Sequence, residues 1–105
     1  MEFDLKLGAH TFKFMVVPHI PIEDCSDLLG LCLYHKHQIY VADGLPPSLT
    51  AETAIHEVLH SIRFMYSLDN TDDEEAIVQI TGHALTQVFK DNPEWFDWIT
   101  SLLRA

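Results

Sequence analysis

The chain has 105 residues, 48% of them hydrophobic, with six basic residues against sixteen acidic ones and a formal net charge of −10. That length suits one domain, residues 1–105, around a single modest core, and the apolar content excludes a disordered chain. The charge argues against nucleic-acid backbones and anionic membranes as partners, because both repel an acidic surface, although an acid excess also serves solubility alone.

The N-terminal MEFDLKL has no basic region followed by an apolar run, so it does not read as a signal peptide. No apolar run approaches the roughly 18 residues that cross a membrane. Cys25 and Cys32 are the two cysteines, too far apart for a zinc knuckle and read as free buried thiols. Together these features predict a cytoplasmic protein.

Residues 3–7 and 11–17 alternate apolar and polar, with Gly8 between them and Pro18 after them, which predicts a hairpin. His19 to Asp27 reads as a loop with room for one helical turn. LGLCLY (29–34) and QIYV (38–41) make a second strand pair around His35, Lys36 and His37. His35 and His37 are read as a solvated turn, with a weak metal site as the alternative. ADGLPPS (42–48) is a loop that launches a helix.

No Gly or Pro interrupts Ser48 to Leu68, and Ile55, Val58, Leu59, Ile62 and Tyr66 form one apolar stripe of a helix. Ser48 or Thr50 is the expected N-cap, and Glu52 suits the positive end of the helix dipole. This helix carries HEVLH, residues 56–60. His56 and His60, at i and i+4, share a face one turn apart and can bind one zinc ion. Glu57 can reach a water at the open zinc position as general base. Helical angles put both histidines on the flank of the stripe and Glu57 further round; a pair of surface histidines is the plain alternative.

In the break at DNTDDEE (69–75), Thr71 and Glu74 have capping-box spacing. A long helix follows to about Asp91, with Ile77, Ile80, Ala84 and Val88 as its apolar line. Asn92 and Pro93 restart the chain as N-cap and N1 of a short amphipathic helix. It carries Trp95, Phe96, Ile99, Leu102 and Leu103, and its Trp residues are read as core. The expected architecture is α+β: about four strands, antiparallel or mixed, packed on the HEVLH helix, a second helix and a short third.

A catalytic zinc needs three protein ligands and one open position. One solution continues the motif to a glycine and a third histidine, but Arg63 and Tyr66 occupy those positions. The acidic start of the next helix is the remaining source, with Asp72, Asp73, Glu74 and Glu75. Periodicity points slightly nearer to Glu74, and either glutamate also suits a helix N-terminus without binding anything.

HEVLH followed by EEAIVQI resembles the glutamate zincins, or gluzincins, whose third ligand is a glutamate on the following helix. The size and element order resemble the minimal gluzincins and short phage-encoded metallopeptidases, as do GLCLYHKHQIYV and DNPEWFDWI. In that group the ligand is commonly followed by Ala and a large aliphatic residue. Glu75-Ala76-Ile77 matches this pattern, so the resemblance carries the ligand role onto Glu75. It implies a zincin-like fold and a zinc-dependent endopeptidase, with Zn2+ on His56, His60 and Glu75, and Glu57 as base. It also implies a peptide substrate held in extended form along an edge strand, here GLCLY. His83, Tyr66 and Arg63 are the candidate oxyanion donors, none well placed. Latency through a chain end or a homodimer contact is a further expectation. Two other readings stand beside the peptidase: a zinc-bound regulatory module of little activity, and an acidic phage-type inhibitor of another protein.

Overall fold

The expected alternation builds a sheet. In the computed structural model, which describes residues 1–21 and 28–105, β1 (Glu2–Leu7) and β2 (His10–Val17) form an antiparallel hairpin. Its turn uses Gly8 at φ +58°, where an L side chain would be strained. β3 (Gly30–Leu33) and β4 (Gln38–Ala42) form the second antiparallel pair. A single 3-10 turn, Tyr34–Lys36, joins them, and His37 takes the left-handed conformation. β4 lies parallel to β2, so the sheet is mixed, in the order β1-β2-β4-β3.

Register puts Leu5, Phe12, Phe14, Ile39 and Val41 on one face, all buried. The opposite face carries polar pairs such as Asp4 and Lys13, which stand directly across the hairpin and bond at 2.6 Å. Three helices cover the apolar face: α1 (Pro47–Met65), α2 (Glu74–Asp91) and α3 (Pro93–Leu103). α1 packs on β3, β4 and α3, whereas α2 packs on β1 and α3 and touches α1 only slightly. Trp95 and Ile99 are buried, and Trp98 lies edge-on to Phe14, so the tryptophans are core as expected. The α+β architecture stands as read from the sequence. No helix among the described residues is long and apolar enough to cross a membrane.

The starts of α1 and α2 differ from expectation. α1 begins at Pro47, whose missing N–H costs nothing at a first helical position. Ser48 and Thr50 therefore lie inside the helix, and the Thr50 hydroxyl donates back to Pro46 O at 3.1 Å. α1 also stops at Met65, because Ser67 turns left-handed (φ 54°) before a 3-10 turn at Leu68–Asn70. No Thr71–Glu74 capping box forms. The Asp73 carboxylate caps α2 instead, accepting from the N–H groups of Glu75 and Ala76, as a carboxylate at the N-cap does. Asn92 precedes Pro93 as expected but spends its side chain elsewhere, on Lys6 N, Lys6 O and Val88 O at 2.7–2.8 Å. Cys32 is half-buried and bonded to Ser61; Cys25, and the part of the predicted loop that covers residues 22–27, lie outside the described residues.

Candidate metal centre

His56 and His60 project from successive turns of α1 and their Nε2 atoms stand 3.1 Å apart, the rings at 79°. Two imidazole nitrogens on one tetrahedral zinc at about 2.0–2.1 Å are separated by roughly 3.3–3.4 Å. The pair is therefore spaced within a few tenths of an ångström of shared ligands. Without a metal the same contact is a hydrogen bond from a protonated to a bare nitrogen. Both rings are exposed.

Glu57 is placed differently from expectation. It is 6% exposed, on the buried side of α1 with Thr53, Ala54 and Ser61. The reason is β3. Gly30 presses its bare Cα onto this flank so closely that an added Cβ would stand 3.0 Å from Glu57 Oε2 and 2.7 Å from Thr53 Cγ2. Small residues on the helix and a glycine on the strand let the backbones approach, which widens the buried face beyond the large apolar side chains. Ile55 and Leu59, counted in the stripe, are only half-buried, and Tyr66 is exposed.

Glu57 nonetheless lines a cleft. A hollow of about 290 Å³ meets it from the side of Leu29, Leu49 and Glu52, and another of about 430 Å³ from the side of Leu31, Cys32 and Phe64. Gly30, His56 and Glu57 line both, so the two hollows lie on either side of the Glu57–Gly30 contact. Burial pushes the Glu57 carboxyl above its ordinary value, and the neighbouring His56 and His60 partly oppose this. A carboxyl held so is easier to protonate, which suits a base that must give its proton back. Burial likewise pushes the Cys32 thiol up; its bond to Ser61 works against that and the Glu57 charge adds to it.

Glu75 does not join the pair. It is exposed in the first turn of α2 with Glu74. Among the described residues, no three His, Cys, Asp or Glu side chains converge closely enough to hold a metal ion. The fit to zinc is thus two nitrogens and an adjacent carboxylate, with Glu75 apart from them. Of the candidate oxyanion donors, Arg63 is committed to Asp69 at 2.6 Å. Tyr66 lies toward the Gly8 turn, and His83 is exposed on α2. None of the three lines the cleft. His35 is exposed, whereas His37 stacks on Phe12 and approaches His10, with centroids 4.7 and 4.8 Å away, so the turn is not wholly solvated.

Sequence reasoning missed Gly30, Thr53 and Ser61. A signal existed for the first, because a glycine inside a strand marks close backbone approach. No family model, curated protein or solved structure matches the chain.

Proposed function

We propose that the chain is a small zinc-dependent endopeptidase of gluzincin type, acting in the cytoplasm on peptides bound in extended form. The observation that carries this reading is the 3.1 Å approach of His56 and His60 beside a cleft floored by the Glu57 carboxylate. His56 and His60 would hold the metal, and Glu75 would be the third ligand once the start of α2 brings it to the pair. When bound, zinc lowers the pKa of water and polarises a carbonyl. Glu57 takes a proton from the attacking water and returns it to the departing amine. Cys32, β3 and Phe64 wall one side of the cleft. Among the described residues β3 pairs with β4 alone, so its outer edge offers backbone groups to an extended substrate. The bond of Cys32 to Ser61 suits a reducing compartment.

Glu75 asks most of the reading. The half of α2 that carries it is the lightly packed half, with Ile77 and Ile80 half-buried and Val78 59% exposed. The distance of Glu75 from the pair favours one second reading, a zinc-binding module of low activity.

Elemental analysis and a generic unfolded substrate separate these. The peptidase reading expects close to one zinc per chain, and hydrolysis that Glu57→Gln lowers by at least about 10²-fold while the metal stays. A folded protein that takes up no zinc when offered it refutes both readings. Zinc uptake without turnover leaves the module.

A further inference from the structure

β3 and α1 run side by side in one direction, and their repeats nearly coincide. Two strand residues advance about 6.6 Å, and one turn of helix, four residues, about 6 Å. Gly30 meets Glu57, Cys32 Sγ meets Ser61 Oγ at 3.1 Å, and the Tyr34 ring meets that of Phe64 at 5.6 Å. His56, His60 and Phe64 also make one i, i+4, i+8 line along the helix.

Phe64 is 52% exposed, a large apolar side chain left in solvent one turn beyond His60. The cleft beside Glu57 reaches it, and Cys32 and Phe64 then wall a further hollow of about 340 Å³ with Leu33, Tyr34, His35 and Lys36. The lining is mainly apolar and aromatic, and it continues the trench that holds the histidine pair. Resting on the peptidase reading above, we propose that this hollow is a subsite selecting a large apolar side chain of an extended peptide, two residues from the bond cleaved.

The spacing sets the position. One helical turn separates His60 from Phe64, about 6 Å, and an extended chain covers that in two residues of about 3.3 Å. Among the described residues the outer edge of β3 pairs with no other strand and holds a peptide extended as far as Leu33, and the continuity of the hollow with the cleft makes a substrate the occupant. The side chain enters on the amino side of the bond if the peptide runs antiparallel to β3, and on the carboxyl side if parallel.

The test uses hexapeptides identical except for Phe, Leu, Ala or Asp at one position. They are titrated into zinc-loaded, 15N-labelled Glu57→Gln protein, so that binding is read without turnover. The Phe and Leu peptides should bind about tenfold more tightly than the Ala peptide and shift the amides of Leu33, Tyr34 and Phe64. Phe64→Asp should abolish the preference without changing zinc content, and Phe64→Leu should keep it. Equal affinity across the series, or shifts that avoid residues 33–36 and 64, overturns the proposal. A parent protein that cleaves peptides without the preference refutes the subsite and keeps the peptidase. One that cleaves nothing yet ranks the series this way refutes the peptidase and keeps the apolar subsite.

Discussion

Replacing Gly30 by Ala probes the contact on which the cleft depends. A Cβ at this position stands 2.7 Å from Thr53 Cγ2 and 3.0 Å from both Cγ and Oε2 of Glu57. Non-bonded carbons settle about 3.5–4.0 Å apart, so the Thr53 contact is short by roughly 1 Å. Gly30 is not in the left-handed region; alanine meets no backbone objection and gains about 0.4–1 kcal/mol through the unfolded state. Overpacking of a close contact costs about 1–3 kcal/mol, which leaves a net loss of about 1–2 kcal/mol. For a chain of this size that is a fall of roughly 4–15 °C in Tm. Thr53→Ser removes the methyl that is struck hardest and alone costs about 0.8 kcal/mol. Combined with Gly30→Ala it should recover at least half of the loss, a coupling that a double-mutant cycle reads in urea unfolding. If Gly30→Ala unfolds at the parent's urea midpoint, and the two changes simply add, β3 does not lie this close to α1 and the cleft argument fails with it.

Asn92→Ala should cost about 2–4 kcal/mol, since it strips partners from the backbone of Lys6 and from Val88 O at a buried site; a thermal shift under about 2 °C would contradict that. Glu57→Gln has a pH signature in metal-chelated protein. The folded carboxyl is raised by burial, so the protonated form is the one folding favours, and its stability is lost as pH climbs through the unfolded value and past the raised one. The variant should therefore melt higher than the parent at pH 7 and level with it below about pH 4, whereas an equal gap at both would remove burial as the cause. In zinc titrations against a chelator, Glu75→Ala should weaken binding sharply and Glu74→Ala should leave it nearly intact, because adjacent helical residues point about 100° apart. The reverse ranking moves the ligand role to Glu74.

β1, β2 and β4 were legible because each buries one face, and a period of two survives in Phe3-Leu5-Leu7 and Phe12-Phe14-Val16. The parallel pairing of β2 with β4 was not, since alternation records which face is buried and says nothing of the neighbour. Helix positions were legible from apolar spacing, and the start of α3 from Asn92 and Pro93, but the first residues of α1 and α2 were not. Thr71, Asp72 and Asp73 are adjacent residues that can all cap a helix, and Asp73 wins by accepting two N–H groups at once. The orientation of HEVLH failed for a different reason. Large apolar residues defined the stripe, while part of the buried flank is Thr53, Ala54 and Ser61, whose burial depends on a glycine more than twenty positions earlier.

That same widening bears on what Glu57 can do. Had it pointed further round into solvent, water would have solvated it and the usual carboxylate range would apply. Set against β3 it is desolvated, yet it still lines both hollows, which is the compromise a general base requires. Glu75 has no such constraint. The C-terminal half of α2 is tied to β1 and its turn by Gln87, which donates to Lys6 O and accepts from Gly8 N, and by buried Ala84 and Val88. Among the described residues, its first turns carry no comparable tether. On the proposed reading Glu75 is a ligand on the end of a helix anchored at its other end, and it would gain its position from the metal. Binding and ordering of the α2 start are therefore coupled, and protection of the amides of residues 76–80 from hydrogen exchange should rise on zinc addition in the parent but not in Glu75→Ala. Protection that rises equally in both would mean that the metal orders α2 without Glu75.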